Sequence, residues 1–308
     1  MPSVLLNWAS PPPVAFTGGA VTIGNFDGVH LGHRALIEAT IRGAGRIGGP
    51  AVAVTFDPPP INLLNPDAAK PPLTTVDDRA ALLLAAGATH VVTMQVDAGL
   101  LALSPEVFFE DVIVRQFHTR VLVEGYNFRF GQGRMGDNAL LHRLCVRTGI
   151  GFEEVGPREI DNEAVSSSRV RTALTVGDVK TAAVLLGRPY ALTGTVVTGA
   201  KRGRTLGFPT ANLDNVKTLV PGTGVYAVRA WVGKKSWPAA ANVGPNPTFG
   251  EDARKIEVHL IDFNGDLYGS VLKVEFVERL RNTKPFAEVE KLVEQLKKDV
   301  IGAARLVK

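Results

Sequence analysis

Two hydrophobic periodicities divide this chain. Up to about residue 187, short apolar runs at 21–23, 51–56, 90–94 and 121–124 alternate with stretches of helical spacing at 35–42, 77–86 and 106–115. Apolar strands separated by helices are the pattern of a parallel sheet covered on both faces. Residues 1–187 are therefore expected to form a doubly wound, Rossmann-like α/β domain. In such sheets ligands lie beyond the carboxyl ends of the strands, which here means residues 24–33 and 125–133. Past Gly187 the helical spacing gives way to apolar runs at 192–198, 210–213, 224–231, 239–243, 255–261 and 271–277, separated by Gly, Pro, Asn and Asp. In the last of these Leu272, Val274 and Phe276 share one face while Lys273 and Glu275 take the other. Residues 188–308 are thus expected to be a second, all-β domain, a small antiparallel barrel. Helical spacing returns at the end. There Pro285 is expected in a first turn, with Phe286, Val289, Leu292, Val293, Leu296 and Val300 as an apolar stripe docking on the barrel.

Composition narrows the class. Of 308 residues, 45% are hydrophobic and 21% charged, the balance of a soluble globular protein long enough for two cores. The lone cysteine, Cys145, excludes an internal disulfide framework and fits a reducing compartment. Residues 1–16 lack the basic start and long apolar run of a secretory signal, and no segment approaches the roughly 18 apolar residues of a membrane span. A cytoplasmic protein without membrane partners is expected. The net charge of +4 is unevenly held: residues 1–187 carry 15 Lys+Arg against 18 Asp+Glu, a balance of −3, and residues 188–308 carry 19 against 12, a balance of +7. These basic residues are scattered among glycines and strands, with neither a basic helix nor an aromatic RNA-binding signature, so nucleic acid is not expected. A small polyphosphate explains the same charges.

The residues with chemistry in them gather at turns. Residues 22–33 read as a buried strand passing through a glycine-punctuated turn into a helix that opens His30-Leu31-Gly32-His33. Two imidazoles three positions apart share a face of the first helical turn, beside N–H groups that attract anions. Imidazole donors aimed at a phosphorus centre or a leaving pyrophosphate suit such a corner. A zinc site is disfavoured, because no Glu stands in the His-Glu-x-x-His position and the chain's single thiol is elsewhere. Residues 125–133 offer Asn127 and Arg129 among aromatics and glycines, either as a ligand loop or as an aromatic-anchored turn. Ser166, Ser167 and Ser168 with Arg169 and Arg171 either cap a helix or clamp a triphosphate at its positive end. Residues 199–207 are glycine-rich and basic without the Gly-Lys-Ser/Thr of a Walker loop, which leaves a basic flap over phosphates. Thr210 and Asn212, two apart on a strand, point to one side; they read as edge-strand polar residues or as oxygen ligands for Mg²⁺ held mainly by substrate phosphates. Glu257 shares a face with His259 opposite three aliphatic residues, as a solvent-facing carboxylate or as the base of the β domain.

Both halves resemble one family, the prokaryotic bifunctional riboflavin kinase/FMN adenylyltransferases, also called FAD synthetases, over about residues 18–305. The first half resembles it through Gly24-Asn25-Phe26-Asp27-Gly28, His30-Leu31-Gly32-His33, residues 125–131 and residues 166–171. The second does so through residues 199–207, Pro209-Thr210-Ala211-Asn212, Gly224-Val225-Tyr226, Asn242-Val243-Gly244, Pro247-Thr248-Phe249, Glu257-Val258-His259-Leu260 and Leu267-Tyr268-Gly269. The resemblance implies that Gly24, Asn25, Asp27, His30, His33, Asn127, Ser167, Ser168 and Arg171 serve ATP or FMN in adenylyl transfer, with the two histidines catalytic. It implies that Gly199, Lys201, Arg204, Thr210, Asn212 and Arg281 serve ATP or riboflavin in the kinase. Thr210 and Asn212 would hold Mg·ATP, and Glu257 would be the base toward the ribityl hydroxyl. Three positions depart from the family pattern: Pro59 stands for a usual His, Asn246 for a frequent Arg and Thr283 for a frequent Glu. Two rivals remain at this stage. A nucleotidyltransferase for another acceptor would leave the barrel as a non-catalytic flavin binder, and a flavin or nucleotide carrier would release neither ADP nor pyrophosphate.

Overall fold

The computed structural model describes residues 1–199, 202–246 and 251–307. The chain divides into two compact units, Met1–Lys70 with Thr74–Val165, and Pro71–Leu73 with Ser166–Lys308. In the first unit the order is β1 (Ser3–Asn7), β2 (Ala20–Ile23), α1 (Leu31–Ile47), β3 (Ala51–Asp57), α2 (Pro60–Leu64), α3 (Val76–Ala85), β4 (His90–Gln95), α4 (Ala98–Ala102) and α5 (Pro105–Phe108). It continues with β5 (Val121–Gly125), α6 (Asn138–Thr148), β6 (Gly151–Val155) and a short ladder of β7 (Glu159–Ile160) with β8 (Glu163–Ala164). Six strands form one sheet in the order β1-β4-β3-β2-β5-β6, every neighbouring pair parallel. The expected Rossmann-like sheet is thus present, and its strand order reverses between β2 and β5. Every residue of β2 is buried, as a strand covered on both faces must be. The helical stretch expected at 106–115 begins as α5 and runs on as a π-helical turn over Phe109–Gln116.

The second unit holds α7 (Ser167–Thr175), α8 (Val179–Leu186), β9 (Tyr190–Val197), α9 (Arg202–Thr205), β10 (Ala211–Asp214), β11 (Gly224–Val232), β12 (Lys235–Asn246), β13 (Glu251–Leu260), β14 (Val271–Arg281) and α10 (Val289–Leu306). The six strands close into an antiparallel barrel ordered β10-β13-β12-β11-β14-β9. Leu272, Val274 and Phe276 are wholly buried, as their alternation predicts. Two differences from the sequence reading have plain causes. Helices α7 and α8 precede Gly187 yet group with the barrel, because α8 packs on β9 and β14. Helical spacing tells where helices stop, not which sheet they cover. Pro285 lies ahead of α10, which starts after Glu288, and Phe286 instead meets the cations of Arg281 and Lys284 at 5.9 and 5.2 Å. The buried face of α10 includes Ala303 with Val300, packed on Ala227 and Ile261. No helix among the described residues is long and apolar enough to cross a membrane.

Candidate active sites

In the first unit the strand-to-helix corner sits at the carboxyl end of β2, beside the point where the strand order reverses. Gly24 still donates to the carbonyl of Val54 on β3, at 3.0 Å. The chain then bends through left-handed backbone at Phe26 (φ 46°), Gly28 (φ 84°) and Val29 (φ 41°). An aromatic and a β-branched residue in that region are strained, and both are 1% exposed, so the surrounding structure must impose the bend. Asp27, 6% exposed, supplies one restraint: its Oδ1 accepts from the N–H of Thr74 at 3.1 Å and from its hydroxyl at 3.2 Å. The Thr74 hydroxyl accepts in turn from the N–H of Gly28 at 3.2 Å. A second restraint starts at Arg79 on α3, 2% exposed, whose guanidinium donates to Thr55 Oγ1 at 3.1 Å and to the Phe56 carbonyl at 3.0 Å. Thr55 donates to the carbonyl of Asn25 at 3.1 Å, leaving the Asn25 side chain exposed.

His30 is the N-cap of α1, where Ser, Thr, Asp or Asn is usual. Its Nδ1 accepts from the N–H of His33 at 3.3 Å, so in the neutral ring the proton sits on Nε2. The two imidazoles stack with centroids 3.6 Å apart, and the edge of the His33 ring meets Phe26 at 5.2 Å. Burial first, then the neighbouring imidazole and the Arg79 cation, hold His33 well below its ordinary pKa of 6.5. His33 is therefore neutral at physiological pH, and its Nδ1 is enclosed without a hydrogen-bond partner. At the end of β5 Asn127 is exposed, while Phe130, 5% exposed, stacks on Phe128 at 5.7 Å and anchors the loop. Arg129 pairs with Asp137, the cap of α6, at 3.3 Å. Among the described residues no group of three or more His, Cys, Asp and Glu side chains forms a metal centre.

In the second unit Ser166 caps α7 by accepting from the N–H of Arg169 at 3.3 Å, and Ser167 and Ser168 open its first turn. Arg171 donates to the carbonyl of Pro71 at 3.4 Å. On the barrel, Thr210 and Asn212 flank inward-facing Ala211 and so point outward together. The strand register pairs Asn212 on β10 with Glu257 on β13, and Glu257 with Asn242 on β12. Directly paired residues share a face, so a half-exposed carboxylate stands between two amides, with Thr210 alongside. His259 donates from Nδ1 to the carbonyl of Pro209 at 2.8 Å and meets Phe208 edge-on at 5.5 Å, fixing the chain just before Thr210. Gly199 backs directly onto Asn212: a Cβ there would fall 2.3 Å from Nδ2. Arg204 lies exposed on α9. Lys201, Pro247, Thr248 and Phe249, named from the sequence, lie outside the described residues. The Arg281 guanidinium grips Asp299 of α10 through three hydrogen bonds of 2.7, 3.0 and 3.1 Å, with Asp299 5% exposed. It ties β14 to the terminal helix.

Sequence reasoning missed Thr74, Thr55 and Arg79, the pairing of Asn242 with Glu257, and the structural ties of His259 and Arg281. No short-range signal marks them, because each acts through a partner distant in the chain.

Fold and site define the class: a Rossmann-like nucleotidyltransferase sheet joined in one chain to a riboflavin kinase-like barrel. The family model for FAD synthetase matches residues 14–169, and that for riboflavin kinase matches residues 186–307. The bifunctional riboflavin kinase/FMN adenylyltransferase of Escherichia coli (strain K12) is 36% identical over 93% of this chain and 92% of its own length. That of Pseudomonas fluorescens is 38% identical over 94% and 93%. A crystal structure from Streptococcus pneumoniae, described as a macrolide-efflux protein, matches with TM-score 0.87 at 30% identity over 97% of each chain. This chain belongs to the bifunctional riboflavin kinase/FMN adenylyltransferase family.

Proposed function

We propose that this chain makes FAD in two ATP-consuming steps, acting on small-molecule substrates without nucleic-acid or membrane partners, with the cytoplasm as its compartment. The barrel phosphorylates riboflavin. Glu257 takes the proton from the terminal ribityl hydroxyl as that oxygen attacks the γ-phosphorus of ATP in line, giving FMN and ADP. The outward Thr210 hydroxyl and the Asn212 amide oxygen are oxygen donors of the kind a Mg²⁺ ion accepts, and the ion would offset phosphate charge when bound with ATP. Gly199 leaves room for the Asn212 side chain, and Lys201 and Arg204 supply positive charge.

The parallel-sheet unit then transfers the adenylyl group. An FMN phosphate oxygen attacks the α-phosphorus of a second ATP, the bond to the β-phosphate oxygen breaks, and pyrophosphate leaves. His30, with its proton on Nε2, donates toward the phosphate oxygens, and neutral His33 lies stacked beneath it. In the same unit Gly24 and Asn25 give backbone close to the phosphates, Asp27 holds the corner, and Asn127 binds ATP or FMN.

One observation carries the reading: the two family models fall on two differently built sites, an imidazole corner at a sheet switch point and a carboxylate between amides on a barrel. The test incubates the protein with riboflavin, ATP and Mg²⁺ and follows FMN and FAD by chromatography. Glu257→Gln is expected to stop FMN formation while FAD still forms from supplied FMN, and His30→Ala to do the reverse. Loss of both products in either folded variant contradicts separate centres.

A further inference from the structure

We propose that Glu124 is a positioning residue for adenylyl transfer, the side chain that sets the spacing between the two site loops where β2 and β5 part. The inference rests on the assignment of that reaction to the parallel-sheet unit. Strand β2 pairs with β3 along its whole length, from Ala20 to Ile23, and β5 pairs with β6 from Val121 to Gly125. Between them, β2 and β5 pair only at Ala20 with Val121 and Val21 with Leu122. Past that point the ladder lapses, and the N–H of Ile23 donates to Oε1 of Glu124 at 2.8 Å. A side chain thus stands where a backbone carbonyl would otherwise close the sheet, and the strand ends are held apart at the length of a glutamate.

Both site loops start one residue beyond this bond. Gly24 follows Ile23 and leads to His30; Gly125 follows Glu124 and leads to Asn127. On its other side Gly125 is fixed by Asn138, whose amide donates to the Gly125 carbonyl at 3.0 Å and to Glu154 at 2.6 Å. Glu124 itself is 1% exposed. It shares a face of β5 with Leu122, which packs in the cluster of Leu141, Leu144 and Cys145. An apolar residue would pack there without the penalty of burying a carboxyl, so the acceptor is what this position supplies. Burial pushes the carboxyl well above its ordinary range, and one of its oxygens accepts from the Ile23 N–H.

The experiment compares Glu124→Gln, which keeps a neutral acceptor, with Glu124→Met, which keeps the volume and removes it. FAD formation from FMN and riboflavin phosphorylation are both measured on each preparation, the second reporting on the rest of the chain. The Gln variant is expected within about twofold of the parent kcat. The Met variant is expected to lose about 10²-fold in kcat, with a smaller change in KM for ATP, since a misplacement of about 1 Å carries that cost; phosphorylation is unchanged in both. A parent that makes no FAD sinks the underlying assignment. A Met variant at the parent rate, or a Gln variant as poor as Met, overturns the spacer. If the Met variant fails to fold, amide exchange in the parent decides: Ile23 must be protected like its neighbour Val21, and rapid exchange overturns the proposal.

Discussion

Replacing Gly199 by alanine separates the two activities through a single methyl group. A Cβ built there lies 2.3 Å from Nδ2, 2.6 Å from Cγ and 2.8 Å from Oδ1 of Asn212. Carbon–heteroatom contacts settle near 3.5–4.0 Å, so something must give by about 1 Å. What gives is the amide, because it is the free end of a side chain, while the Asn212 backbone is held between Val197 on β9 and Glu257 on β13. The fold survives and the amide swings out of the row it forms with Glu257. Riboflavin phosphorylation is expected to fall about 10²-fold, the cost of misplacing a positioning group by about 1 Å. FAD formation from supplied FMN and the thermal midpoint stay at parent values. Gly45→Ala is the control, since its Cβ in α1 meets nothing within 4 Å. A Gly199→Ala kinase rate within twofold of the parent refutes the placement of Asn212 at the phosphate site.

Two further outcomes follow from the corner and its surroundings. Thr74→Val removes the hydroxyl that joins Asp27 to Gly28, leaving buried polar groups without it; urea unfolding is expected to show a loss of about 1–3 kcal/mol, with slower adenylyl transfer and unchanged phosphorylation. Stability also responds to pH with two opposed signs. His33, lowered by burial, by His30 and by Arg79, lets the unfolded chain bind a proton the folded chain refuses, so its share of stability is present above pH 6.5 and lost as pH falls through the folded value. Glu124, raised by burial, keeps a proton the unfolded chain gives up, so its share is present below pH 4.5 and lost as pH rises through the folded value. Glu124→Gln should remove the alkaline-side loss from a pH series of unfolding midpoints, and an unchanged series contradicts the upward shift of the carboxyl.

The sequence made legible what depends on short spacing. Alternation in the last barrel strand, the shared outward face of Thr210 and Asn212, and the strand-glycine-helix run into His30 all follow from neighbours a few positions apart. What it hid was set by residues far apart in the chain. Thr74 reaches Asp27 across 47 positions, and Glu124 reaches Ile23 across 101. Asn242 joins Glu257 only through barrel register, which apolar alternation does not specify. Asp27 shows the consequence for site reading: its place in the motif gives no hint that its Oδ1 accepts from Thr74 and shapes the bend. The tie of Arg281 to the buried Asp299 on α10 is likewise invisible in the motif.

The placement of carboxylates explains why each reaction sits where it does. A ribityl hydroxyl must lose a proton to attack phosphorus, so its site needs a base that substrate can reach. Glu257, half-exposed on the outer face of the barrel between Asn212 and Asn242, is the base we propose for it. An FMN phosphate is already largely ionised at neutral pH, so the second reaction needs donors for charge and no base. The two carboxylates closest in sequence to the corner motifs are Asp27 and Glu124, 6% and 1% exposed, one engaged with Thr74 and the other with the N–H of Ile23. Neither is placed to take a proton from substrate, and what the corner presents is imidazole. A chain with these two arrays exchanged would set a base where none is required and bury the carboxylates where one is, so phosphorylation belongs to the barrel and adenylyl transfer to the sheet.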